Sequence, residues 1–251
     1  MAIKIAVVNE SKNNETRVAV VPEIAQKLSS NNVTFSIEKN SGAASGFLDA
    51  DYPENACSFF DVASEALKDA DVLFKVNPPT SEEIGYMKKG ALAVSYMSPF
   101  QSGELIKNMA SSSIDAFSVE LIPRISRAQS MDALSSQASI AGYKAVILAA
   151  NNANKFFPML TTAAGTVRPA QTLIVGAGVA GLQAIATAKR LGSRVLAFDV
   201  RSSTKEQIES LGAQFLDTGI TAEGEGGYAR ELSAEELKTQ KEALSKAMGR
   251  S

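Results

Sequence analysis

The residues from Thr172 to Gln183 constrain this chain more than any others. An apolar run, Thr172-Leu173-Ile174-Val175, leads into Gly176-Ala177-Gly178-Val179-Ala180-Gly181 and then Leu182-Gln183. The run reads as a strand, continuously apolar as strands buried on both faces are. The glycines fit G-x-G-x-x-G, and a helix continues to Leu191 and stops at Gly192. A second strand, Arg194 to Phe198, ends in Asp199, 18 residues after Gly181. Strand, turn, helix, strand and acid in that order are the context a dinucleotide site requires. Gly176 permits the tight turn, Gly178 lets backbone approach a pyrophosphate, and Gly181 lets helix pack on strand. The pyrophosphate would sit over Ala177, Val179 and Ala180 at the helix start, where unpaired N–H groups and the helix dipole favour anions. An ordinary strand–helix turn with chance glycines leaves Asp199 unexplained.

Asp199 also bears on which dinucleotide is held. A carboxylate there accepts hydrogen bonds from the adenosine ribose hydroxyls and repels a 2′-phosphate, which favours NAD(H) over NADP(H). Arg201, two residues on past Val200, is the competing signal, because an arginine could pair with that phosphate. Its plain alternative is a solvated loop charge.

The rest of the chain places this motif in a larger frame. Strand signals at Ile3–Val8, Val33–Glu38, Asp71–Val76, Ala91–Ser95 and Ile114–Ser118 alternate with helix signals at Pro22–Ser29, Asp61–Lys68, Ser81–Met87 and Ser102–Ser111. Such a series predicts a parallel sheet with helices on both faces. A long helix over Ser136–Asn152, capped by Ser135 or Ser136 and presenting Ile140, Tyr143, Ile147 and Ala150 on one face, crosses to the second αβ unit. The expected organisation is α/β: two Rossmann-like βαβ domains with parallel sheets, residues 1–135 and 158–251, joined by an inter-domain helix over 136–157. After Asp199 come a helix (Thr204–Leu211), a strand (Gln214–Leu216), a glycine-rich loop and a charged helix (Ser233–Met248). That makes about three strands where a full dinucleotide fold has about six. The second domain therefore reads as incomplete at its C-terminus, and the chain as a truncated piece inactive by itself.

Composition excludes several classes. Net charge is −2, with no basic stripe, which argues against nucleic acid. No apolar run reaches the length of a membrane span. The one cysteine, Cys57, cannot form an internal disulfide and reads as a buried thiol. Histidine is absent, which removes the commonest general acid/base and the commonest metal ligand; no metal site is expected.

The segment Arg124-Ile125-Ser126-Arg127-Ala128-Gln129-Ser130-Met131-Asp132-Ala133-Leu134-Ser135-Ser136-Gln137, followed by Ala141-Gly142-Tyr143, resembles the NAD(H)-binding component of proton-translocating NAD(P) transhydrogenases. Gly176 to Leu191 and Asp199-Val200-Arg201 match as well, and the resemblance covers essentially the whole chain. The wider family includes alanine dehydrogenase. The resemblance implies that Arg124, Asp132 and Ser135 contact bound NAD(H), and that Gln129 reaches toward a nucleotide held by a partner domain. These four form the catalytic set it implies. Without it, Arg124 and Asp132 read equally as a loop ion pair. It implies that Tyr228, in the loop Ala222–Ala229, covers the nucleotide; a plain flexible loop is the other reading. It implies NADP(H)-binding and membrane partner subunits, a homodimer, and a cytoplasmic place at the inner membrane through those partners.

Direct hydride transfer between two nicotinamides moves no proton at the reacting carbons, so a chain without histidine suits it. In alanine dehydrogenase the family pattern uses a histidine near the region Ser95-Tyr96-Met97-Ser98. Two other amino-acid-site positions of that enzyme are present, Arg17 and Lys75, either as a working site or as inherited scaffold charges. An amino-acid dehydrogenase and a non-catalytic NAD-binding fragment are the alternatives.

Overall fold

The computed structural model describes residues 2–11, 14–222 and 230–249. They form two compact units, Met1–Ala133 and Leu134–Ser251.

The first unit is built on β1 (Ile3–Val7), β2 (Val33–Glu38), β3 (Cys57–Phe60), β4 (Val72–Phe74), β5 (Leu92–Ser95) and β6 (Asp115–Ser118). All pair in parallel, in the order β3-β2-β1-β4-β5-β6. Strand growth reverses direction between β1 and β4, the switch point of a doubly wound sheet. Alternation along β1 shows both faces at work, since neighbouring side chains of a strand point to opposite sides. Ile5 and Val7 join Ala25, Phe35, Ile37 and Tyr52 in one core, whereas Ala6 and Val8 join Leu67, Leu73, Ala93, Met97 and Met109 in another. Helices α1 (Pro22–Ser29), α2 (Ala63–Leu67), α3 (Ser81–Tyr86) and α4 (Gly103–Ser111) connect the strands. Proline at the first position and Glu23 in the first turn start α1 where the sequence places it. Strand β3 escapes the sequence reading because it is a four-residue edge strand whose aromatic half is only partly buried.

The second unit opens with α5 (Ala133–Asn152) and a small antiparallel hairpin, β7 (Leu160–Thr162) and β8 (Gly165–Val167). Then come β9 (Gln171–Val175), α6 (Val179–Arg190), β10 (Arg194–Phe198), α7 (Lys205–Ser210), β11 (Gln214–Phe215) and α8 (Ala234–Met248). Strands β11-β10-β9 form a parallel three-stranded sheet. Strand β9 lies at the edge of that sheet and is half-buried, with Val175 exposed, instead of buried on both faces.

Helix α5 differs from expectation in two ways. It begins at Ala133, so Ser135 and Ser136 lie inside it and cap nothing. Its buried residues are Gly142 and Val146, while Ile140 and Tyr143 face outward. Residue size misled the reading. The face that packs is chosen by closeness of approach: a Cβ at Gly142 would lie 2.1 Å from the Ala180 carbonyl oxygen of α6. Only glycine lets the two helices meet there. Gly142→Ala is therefore expected to destabilise the second unit by about 1–3 kcal/mol through overpacking, read as a lower urea midpoint in an unfolding titration.

Candidate functional site

The turn between β9 and α6 is shaped by its glycines. Gly176 has φ +94°, in the left-handed region that side chains disfavour. A Cβ at Gly181 would stand 1.8 Å from the Gly176 carbonyl oxygen, so the first turn of α6 rests directly on the loop. Gly178 is the N-cap of α6, extended and open around its Cα, with no side chain capping the helix. The first amides of a helix have no partner within it. Ala177 is buried under the turn, whereas Val179 is exposed beside it.

Strand β10 fixes this turn. The Gly176 amide donates to the Phe198 carbonyl at 2.7 Å, and the Ala177 amide donates to Asp199 Oδ2 at 2.7 Å. Arg201 donates its backbone amide and Nε to Oδ1, at 2.9 and 3.0 Å, and Nη2 to Oδ2 at 3.0 Å. Burial alone would raise the Asp199 carboxyl; the Arg201 side chain and the two amides outweigh it and hold the group below its ordinary value. Beyond the ends of β10 and β11 lies a small cavity of about 110 Å³, lined among others by Asp199, Ser202, Lys205, Phe215 and Thr218. Turn, helix start, acid and cavity are contiguous. The arrangement can hold an anionic diphosphate at the helix start and a ribose diol at the acid.

Tyr228 lies outside the described residues. Both flanks of its loop are described: Ala222 is buried and donates to the Val200 carbonyl at 2.8 Å, and Arg230 donates to the Ala222 carbonyl at 3.2 Å and pairs with Glu236. The loop's two ends are thus pinned together beside Val200.

The segment that carries the resemblance forms a 3₁₀ turn, Ser126–Met131, held inward by Ala128. Arg124 and Gln129 are exposed on it, and Asp132 follows as its C-cap. These three belong to the first unit; Ser135, on α5, and the glycine turn belong to the second.

Two family models match the chain, the alanine dehydrogenase/PNT N-terminal domain over residues 6–141 and the C-terminal domain over 145–250. The chain belongs to the alanine dehydrogenase/PNT family. The first of the polypeptides that make up NAD(P) transhydrogenase subunit alpha in Rickettsia prowazekii is 45% identical over 97% of this chain and 65% of its own length. The chain thus spans about two thirds of that relative. A crystal structure of transhydrogenase from Sinorhizobium meliloti superposes with a TM-score of 0.82 at 42% identity, covering 94% of this chain and 75% of that one. Alanine dehydrogenase of Staphylococcus saprophyticus is more distant, 27% identical over 82% of this chain and 56% of its own. Within the family the chain therefore sits on the transhydrogenase side.

The two cations shared with the alanine dehydrogenase branch, Arg17 and Lys75, are both matched by carboxylates in the first unit. Arg17 forks onto Glu15, Nε to Oε1 at 2.9 Å and Nη2 to Oε2 at 2.8 Å. Lys75, buried at the end of β4, bonds both Glu83 oxygens at 2.9 and 2.7 Å. Glu83 meanwhile closes the capping box of α3 with Thr80. Buried Glu10 accepts the Val76 and Asn77 amides, each at 2.8 Å, and the Asn77 side chain bridges it to Glu15. Glu10, Glu15 and Glu83 were missed from sequence. Only Glu83 had a signal, the Thr80-x-x-Glu83 spacing.

The Arg17 hydrogen bond pulls the Glu15 carboxyl down from 4.5 to about 2. A depressed acid stabilises the fold above its unfolded value and loses that contribution as pH falls through its folded value. The stability gap between wild type and Glu15→Gln should hence be full above about pH 4.5 and close as pH falls toward 2, in urea titrations at stepped pH.

Proposed function

We propose that this chain is the NAD(H)-binding component of a proton-translocating NAD(P) transhydrogenase. It would hold NAD(H) for hydride exchange with NADP(H) carried by a partner subunit. The observation that carries the reading is the Gly176–Gly181 turn tied to Asp199 through the Ala177 amide at 2.7 Å. Transhydrogenase relatives at 42–45% identity support the choice of reaction.

When bound, the dinucleotide supplies the hydride and its acceptor. The chain's own role is positioning. Amides at the start of α6 would receive the diphosphate, and Asp199 the adenosine ribose. Arg124, Asp132 and Ser135 would fix the nicotinamide end by directed hydrogen bonds, with Gln129 turned to the partner's nucleotide. Tyr228 would cover the site. Hydride transfer asks chiefly for two rings held about 3–3.5 Å apart in line, and none of these roles needs an imidazole. The partners are the NADP(H)-binding and membrane subunits, and a second copy of the chain. Because the reaction needs two nucleotides, the chain alone turns nothing over. No helix among the described residues is long and apolar enough to cross a membrane; attachment at the cytoplasmic face would come through the partners.

Amino-acid dehydrogenation is the weaker reading, because Arg17 and Lys75 are each committed to a carboxylate. The deciding experiment mixes the chain with an NADP(H)-loaded partner component of a transhydrogenase. It follows reduction of a spectrally shifted NAD analogue by NADPH. Exchange that requires both components is expected; exchange absent with both loaded, or alanine-dependent NAD reduction by the chain, overturns the assignment. Asp199→Asn should weaken NADH binding about tenfold, the loss of one strong charge-assisted bond. It should also narrow the preference over NADPH, both read by calorimetric titration.

A further inference from the structure

The bonds that hold Asp199 also occupy it. Oδ1 accepts the Arg201 amide and Nε; Oδ2 accepts the Ala177 amide and Arg201 Nη2. A carboxylate offers about four acceptor positions, so this one has no room for a ribose diol as it stands. Something must leave before the sugar can bind.

The four donors are not equally able to leave. The Ala177 amide is part of the glycine turn, and Ala177 is 1% exposed. The Arg201 amide is held by its own backbone, since the Arg201 carbonyl accepts the Thr204 amide at 3.2 Å and the Thr204 hydroxyl at 2.8 Å. The guanidinium is different. It sits at the end of a long side chain that is 26% exposed, against 7% for Asp199. It can swing into solvent while the backbone around it stays where it is.

We propose that Arg201 is a nucleotide-displaced latch on Asp199 and, through it, a specificity-determining residue. This rests on the reading that the adenosine ribose of NAD(H) is received by Asp199. The 2′- and 3′-hydroxyls replace the two guanidinium bonds, so the carboxylate stays satisfied throughout and only the side chain moves. A 2′-phosphate ester brings no 2′ donor and cannot make that exchange. The released guanidinium, however, offers such a phosphate a cation, which offsets part of the repulsion from Asp199. Arg201 thus lowers affinity for NAD(H) and blunts discrimination against NADP(H) at once. Neither effect follows from Asp199 alone.

Calorimetric titration of the chain with NADH, NADPH and an NADH analogue lacking the adenosine 2′-hydroxyl tests this in wild type, Arg201→Ala and Arg201→Lys. Arg201→Ala should tighten NADH binding about two- to fivefold, the worth of a partly exposed ion pair. It should widen the NADH-to-NADPH ratio, and should tighten the deoxy analogue less than NADH. Arg201→Lys, which keeps the charge but not the fork, should fall between, and it decides the matter if thermal melting shows Arg201→Ala unfolded. Unchanged or weaker NADH binding by the variants overturns the latch and leaves the nucleotide reading standing. Equal tightening of NADH and the deoxy analogue overturns it too. No NADH uptake by any form overturns the nucleotide reading, and the latch with it.

Discussion

A buried carboxylate reaching the amide of Ala177 holds the second unit's turn to its second strand. An ionised carboxylate out of water is costly unless its oxygens are met by donors. Asp199 is tolerable only because the turn delivers one amide, its own loop another, and Arg201 a guanidinium. The dependence runs both ways. With Ala177 bonded to Asp199 and Gly176 to Phe198, the amides at the start of α6 are set relative to the end of β10. Gly181 then lets α6 rest on the turn, and Gly142 lets α5 rest on α6. A side chain at either glycine would meet a carbonyl oxygen at about half its contact distance, so the whole stack is arranged around those approaches.

The same device recurs in the first unit with another outcome. Glu10 accepts two amides beyond β4, and Glu120 accepts the Met97 and Ser98 amides beyond β5, at 2.9 and 2.5 Å. Ser98 is a non-glycine residue at φ 45°, and the Glu120 bonds help keep it there. Parallel strands end with amides that no neighbour claims, and buried acids collect them. In the first unit these acids finish the loops. In the second, Asp199 does so while standing beside an uncapped helix start, which turns a structural acid into part of a site.

How much of this was legible follows from the range of each interaction. The α1 helix and the glycine turn were legible because their causes are local: a proline at the first position, glycines at fixed offsets, an acid at a strand end. Strand β3 and the β7–β8 hairpin were not, being short and half-exposed with little periodicity. The packed face of α5 was misread because Gly142 carries no hydrophobic signal and is chosen by steric approach from α6. Glu10 and Glu15 left no trace, since Glu10 finds its partners 66 and 67 residues away. The Arg124–Gln137 segment was legible only through family resemblance; residues exposed on a 3₁₀ turn look like any polar loop.

The switch point of the first sheet, between β1 and β4, is where a doubly wound fold ordinarily offers a ligand site. Here its charges are spent internally: Lys75 on Glu83, Arg17 on Glu15, and Glu10 on the Val76 and Asn77 amides. A carboxylate substrate would have to displace Glu83 from a lysine whose side chain is 3% exposed, and in doing so undo the α3 cap. Breaking one partner out of a buried pair costs more than the pair gains. The second unit's acid faces no such barrier, because the group to be displaced is a side chain already at the surface. Two units of like topology in one chain therefore differ in what their strand ends can still bind. The difference lies in whether the partner of the buried charge is locked into the fold or able to leave it.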